Sequence, residues 1–116
     1  MCGTDWLDVL RREFAAEEGS FLLTLRCDLR WDHGAFARLI AAMEDCCRAL
    51  EKTSSVERWL ADGFWYLSWF PESWTSHKAW THDKDRARIT KGTQRLFELA
   101  AWFFSGEPIM QATDVP

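Results

Sequence analysis

Cationic excess, long apolar runs and clustered glycine are all missing from this sequence, and each absence removes a class of function. Lys and Arg number 14 against 18 Asp and Glu, for a formal net charge of −4. General affinity for nucleic acid through phosphate neutralisation is therefore not expected. No stretch of about 18 apolar residues occurs, which excludes a transmembrane helix and a membrane partner of that kind. Met1-Cys2-Gly3-Thr4-Asp5 has no basic segment leading into an apolar one. An export signal is thus not expected, and the cytoplasm is the anticipated location. Cys2 stands where N-myristoylation requires glycine. The six glycines (3, 19, 34, 63, 92 and 106) are scattered, leaving no phosphate-binding loop, and neither HExxH nor GxSxG is present. Cys2, Cys27, Cys46 and Cys47 lack CxxC spacing, and on a helix the adjacent pair diverges by about 100°. In a reducing compartment they read as small hydrophobes.

Tyrosine is also scarce, with one residue against eight Trp and eight Phe. Aromatic character is concentrated in large, rigid side chains that fill gaps between helices or serve as contact anchors. The length, 116 residues, suits one domain with a core of its own.

Helical periodicity dominates. Trp6, Leu7, Leu10 and Phe14 place a helix at about 5–18, with Thr4 as cap and Gly19 as stop. Asp32 caps a helix at about 33–52 with a stripe of Phe36, Leu39, Ile40, Met43, Cys47 and Leu50. Ser54-Ser55-Val56-Glu57 reads as a capping box before a helix that Pro71 should end. A last helix is expected from Thr81–Asp83 to Ser105, stopped by Gly106 and Pro108. Its inward stripe reads Ile89, Thr93, Leu96, Phe97, Ala100, Phe103 and Phe104.

The segment 21–31 is ambiguous. Phe21, Leu23, Leu25, Cys27, Leu29 and Trp31 alternate as on a half-buried strand, but no second segment alternates as cleanly. Ser20 also suits the cap of a short helix, and helix or irregular structure is the preferred reading. The sum is an all-α, single-domain bundle of four to five helices over 1–106, with a short strand at 21–31 as the alternative and a tail at 107–116.

Three functional readings remain. The first is a non-catalytic interaction or regulatory domain, homodimeric or docking another protein. Trp65 and Trp69 stand one turn apart beside Arg58, nearly opposite the core side of their helix, with Trp74 and Trp80 as candidate extensions of that surface. The second is a small metal-dependent or acid–base enzyme, or a ligand-binding protein, using 72–85. There His77 and His82, with Glu72, Asp83 and Asp85, supply a mixed nitrogen and oxygen shell. The third is binding of an anionic ligand or acidic peptide. Lys84, Arg88, Lys91 and Arg95 fall on one line of the last helix, and Trp102 continues it. No pattern assigns a catalytic residue, and none calls for a cofactor.

Overall fold

The computed structural model describes residues 5–77, 80 and 85–108. Among them the chain forms five α-helices and no strand: α1 (Trp6–Phe14), α2 (Phe21–Cys27), α3 (His33–Leu50), α4 (Arg58–Thr75) and α5 (Arg86–Ser105). The short strand is thereby replaced by α2. None of these helices is long and apolar enough to cross a membrane.

Local chemistry sets most boundaries. The Asp5 carboxylate accepts the Leu7 amide and starts α1, the role the sequence suggested for Thr4, which lies outside the described residues. The helix stops at Phe14, four residues before the expected end. Glu17 N–H donates to Arg12 O and Ala16 N–H to Glu13 O, a Schellman arrangement with Ala16 in the left-handed region at φ 54°. Asp32 caps α3 as expected, accepting from Ala35 at 3.1 Å.

The capping box at Ser54 is not formed. α4 begins only at Arg58, and its N-cap Glu57 makes no side-chain bond. Nor does Pro71 end this helix. The proline lies buried in the α4 interface, and the chain continues one further turn to Thr75. Tertiary burial there outweighs the roughly 3 kcal/mol cost of proline within a helix. Thr75 Oγ1 donates back to Pro71 O at 2.8 Å in that added turn. Gly106 closes α5 as expected, with φ 84°.

The α2 helix has seven residues, too few for stability alone. Groups from elsewhere hold both its ends. The Glu13 carboxylate accepts the amides of Phe21 at 3.0 Å and Leu22 at 2.7 Å. At the other end the Trp74 indole Nε1–H donates to the Leu25 carbonyl at 2.8 Å. Helix ends leave such amides and carbonyls without intrahelical partners.

Packing makes two layers. α1 runs antiparallel to α3, and α2 bridges them. α4 and α5 form an antiparallel hairpin, keyed by Phe64 stacked on Phe103 at 4.1 Å and by Arg86 donating to Thr75 O at 2.8 Å. α3 lies beside α5 in the same direction, since Glu44 meets Arg95 and Glu51 meets Trp102. Gly63 admits the Phe14 ring to the α4 backbone, and Gly92 admits Trp31 to α5. The core between the layers includes Leu10, Phe21, Leu25, Leu39, Met43, Phe64, Leu67, Ile89, Leu96 and Leu99.

Candidate functional site

Because α5 is covered on one flank by α4 and on another by α3, its buried arc differs from the expected stripe. Ile89, Gly92, Leu96, Leu99, Ala100, Trp102 and Phe103 are buried. The line carrying Arg95 and Trp102 turns toward α3, where Trp102 is only 8% exposed and its Nε1–H donates to Glu51 at 3.0 Å. Arg95 is held by Glu44 at 2.6 Å and by Glu98 at 3.3 Å. Burial works against the Arg95 charge, and the two carboxylates more than offset this, so its pKa rises. Arg88 and Lys91 remain exposed, beside Trp31, His33 and Phe36 at a shallow cleft of about 340 Å³. Lys84 lies outside the described residues.

The rotation of α5 leaves Phe97 and Phe104, expected inside, 51% and 55% exposed. On α4, Trp65 and Trp69 are 54% and 41% exposed, in the direction expected from helical spacing. Helix geometry places these four rings on one surface. Phe14 and Leu25 meet α4 on the flank of Gly63 and Trp74, so Trp65 and Trp69 point away from the α1–α3 layer. On α5, α3 occupies the flank of Gly92, Arg95 and Trp102, so Phe97 and Phe104 point to the same outer side. Four half-exposed aromatic rings therefore share the outer face of the α4–α5 hairpin.

The two indoles are braced. Trp65 and Trp69 meet edge to face at 5.4 Å, and Trp69 touches Tyr66 at 5.5 Å and Phe70 at 5.9 Å. Phe70 stacks on both Tyr66, at 4.7 Å, and Trp74, at 5.5 Å. Within this chain of rings Trp74 bonds Leu25 O, fixing the ladder to α2. Such support holds exposed aromatics in one orientation at little entropic cost. Trp74 itself is half-buried, and Trp80 is 5% exposed. These two belong to the interior rather than to the outer surface. Arg58 is exposed at the head of the Trp65 line.

The segment 72–85 is only partly described. Glu72 and His77 are exposed, and the His77 ring lies stacked near Trp74 at 6.2 Å. Asp85 precedes α5 without a side-chain capping bond. His82 and Asp83 lie outside the described residues. Among the described residues no three His, Cys, Asp or Glu side chains are gathered as a metal shell requires.

Glu13 is a titratable group that sequence periodicity did not single out. It is 5% exposed and borders a cleft of about 300 Å³ shared with Arg12, Ser20 and Arg38. Burial raises its pKa, against the lowering influence of the Leu22 and Phe21 amides and of Arg38. Both carboxylate oxygens are already engaged with α2, a structural task. Its only sequence signal was a carboxylate near the end of α1, where the helix dipole disfavours negative charge. Phe97 and Phe104 were also missed as surface residues, and Gly92 was the available hint that another flank of α5 is closely packed. No known protein family, curated protein or solved structure matches this chain.

Proposed function

We propose that this chain is a non-catalytic interaction domain that docks a protein partner through the outer face of its α4–α5 hairpin. The observation that carries the reading is the concentration of Trp65, Trp69, Phe97 and Phe104 on that face, each about half exposed. Scattered surface hydrophobes are ordinary, whereas contiguous large aromatics mark contact sites. Tryptophan is among the residues that most often dominate binding energy. The buried, unbridged thiols of Cys46 and Cys47 suit a reducing compartment, in keeping with a cytoplasmic setting.

A docking face makes few demands on the fold of the free chain. Replacing Trp65 and Trp69 together by Ser is expected to leave urea stability within about 1 kcal/mol of the parent, measured on dilute protein. A loss above about 3 kcal/mol would assign the indoles to the core and remove the reading.

The cleft beside Arg88, Lys91 and His33 favours a second reading, an anionic ligand on that flank. Titration with inorganic phosphate is expected to show salt-sensitive binding that is lost when Arg88 and Lys91 are both replaced by Ala. Binding unaffected by salt or by that replacement would exclude it.

A further inference from the structure

We infer that the occupant of the outer face is a second copy of this chain, paired across a two-fold axis that passes over Trp65. The inference rests on the docking reading above and commits it to one partner. Arg58, Trp65 and Glu72 are spaced seven residues apart and so fall on one line of α4. Arg58 and Glu72 each lie about 10 Å from Trp65 along the axis, on opposite sides. Both are exposed, and neither side chain has an ion-pair partner among the described residues. Laying α4 antiparallel on its own copy brings Trp65 against Trp65, and Arg58 of each protomer opposite Glu72 of the other. A two-fold contact requires this kind of self-complementarity.

The same axis suits α5. The Phe64–Phe103 stack and the Arg86–Thr75 bond set which residues of the two helices share a level. The midpoint between Phe97 and Phe104 then falls within about two residues of Trp65. In the antiparallel arrangement Phe97 of one protomer therefore approaches Phe104 of the other.

The available area is adequate. Four aromatics of roughly 150–250 Å² each, half exposed, offer about 400 Å² of apolar surface. A standard interface takes about 800 Å² from each partner, a little over half of it apolar. The ring patch thus supplies most of the apolar part, and the flanking polar residues of α4 and α5 supply a rim.

Sedimentation velocity over a concentration series tests the pairing in the parent, Arg58→Glu, Glu72→Arg and the double exchange. A concentration-dependent dimer is expected in the parent. Each single reversal sets like charges opposite each other twice and should raise the dissociation constant about tenfold or more. The double exchange restores both pairs and should return it to within about threefold of the parent. A parent that stays monomeric to roughly millimolar concentration, or a double exchange no better than the singles, would overturn the second-copy assignment. The docking reading would then stand or fall on the separate stability test of Trp65 and Trp69. A dimer indifferent to Trp65→Ala would place the self-contact elsewhere and would likewise overturn the second-copy assignment.

Discussion

The carboxylate of Glu13 accepts the backbone amide of Leu22 at 2.7 Å, so a residue near the end of α1 caps the helix that follows. The second oxygen takes the Phe21 amide. Glu13→Ala would leave both amides without their acceptor and should cost about 2–4 kcal/mol in urea denaturation. Its raised pKa also carries a sign. Above the native pKa the buried charge opposes folding. As pH falls through that value toward the ordinary 4.5, the native state takes up a proton more readily than the unfolded one, and the penalty is relieved. NMR titration should show Glu13 protonating above 4.5. A native pKa below 4.5 would refute the account of its burial.

Ala16 occupies the left-handed position of the Schellman turn, with φ 54°. A side chain there costs roughly 1–2 kcal/mol relative to glycine, partly offset by glycine's extra freedom when unfolded. Ala16→Gly should therefore raise stability by about 0.5–1 kcal/mol, readable as a higher melting temperature. A fall would place the end of α1 elsewhere.

Gly63 shows the opposite constraint. A Cβ at this position would stand 2.3 Å from ring atoms of Phe14. That ring is held edge-on by Trp59 at 6.0 Å and by Phe64 at 6.1 Å, so it has little freedom to retreat. Gly63→Ala should cost about 1–3 kcal/mol despite the better helix propensity of alanine. Gly34, whose nearest atom to a new Cβ is Asp32 Oδ1 at 3.6 Å, serves as the control. Gly34→Ala in the first turn of α3 should be neutral or stabilising by up to about 1 kcal/mol. Equal effects at the two positions would contradict the close approach of α1 to α4.

The thiols separate by environment. Cys46 and Cys47 are buried, and burial pushes both up to about 12, whereas Cys27 is exposed. In a Cys2→Ser background, a thiol reagent at pH 8 should label Cys27 alone in native protein and all three remaining cysteines after unfolding. Rapid native labelling of Cys46 or Cys47 would be incompatible with their burial in the core.

What the sequence made legible was local. α3 announced itself through Asp32 and a single apolar stripe, α5 ended where Gly106 permits a left-handed cap, and Trp65 and Trp69 followed from helical angle. Failures came where distant groups decide. α2 alternates like a strand, yet its ends are held by Glu13, eight residues before Phe21, and by Trp74, 49 residues after Leu25. Pro71 is retained inside α4 by burial that no local rule reveals. The basic line of α5 looked like an outer face because its neighbour α3, carrying Glu44 and Glu51, is remote in sequence. The same packing turned Phe97 and Phe104 outward, beside Trp65 and Trp69, on a candidate surface that the sequence had built from Trp65, Trp69 and Arg58 with Trp74 and Trp80 as extensions.

The central claim is that the outer face of α4–α5 is open in the free chain and covered when the protein associates. Hydroxyl-radical footprinting with mass spectrometry reads this ring by ring. In dilute protein Trp65, Trp69, Phe97 and Phe104 should oxidise well ahead of the interior Trp31, Trp80 and Trp102, and should become protected together as concentration rises. Trp65 and Trp69 as slow to oxidise as Trp102 in the most dilute sample would contradict it.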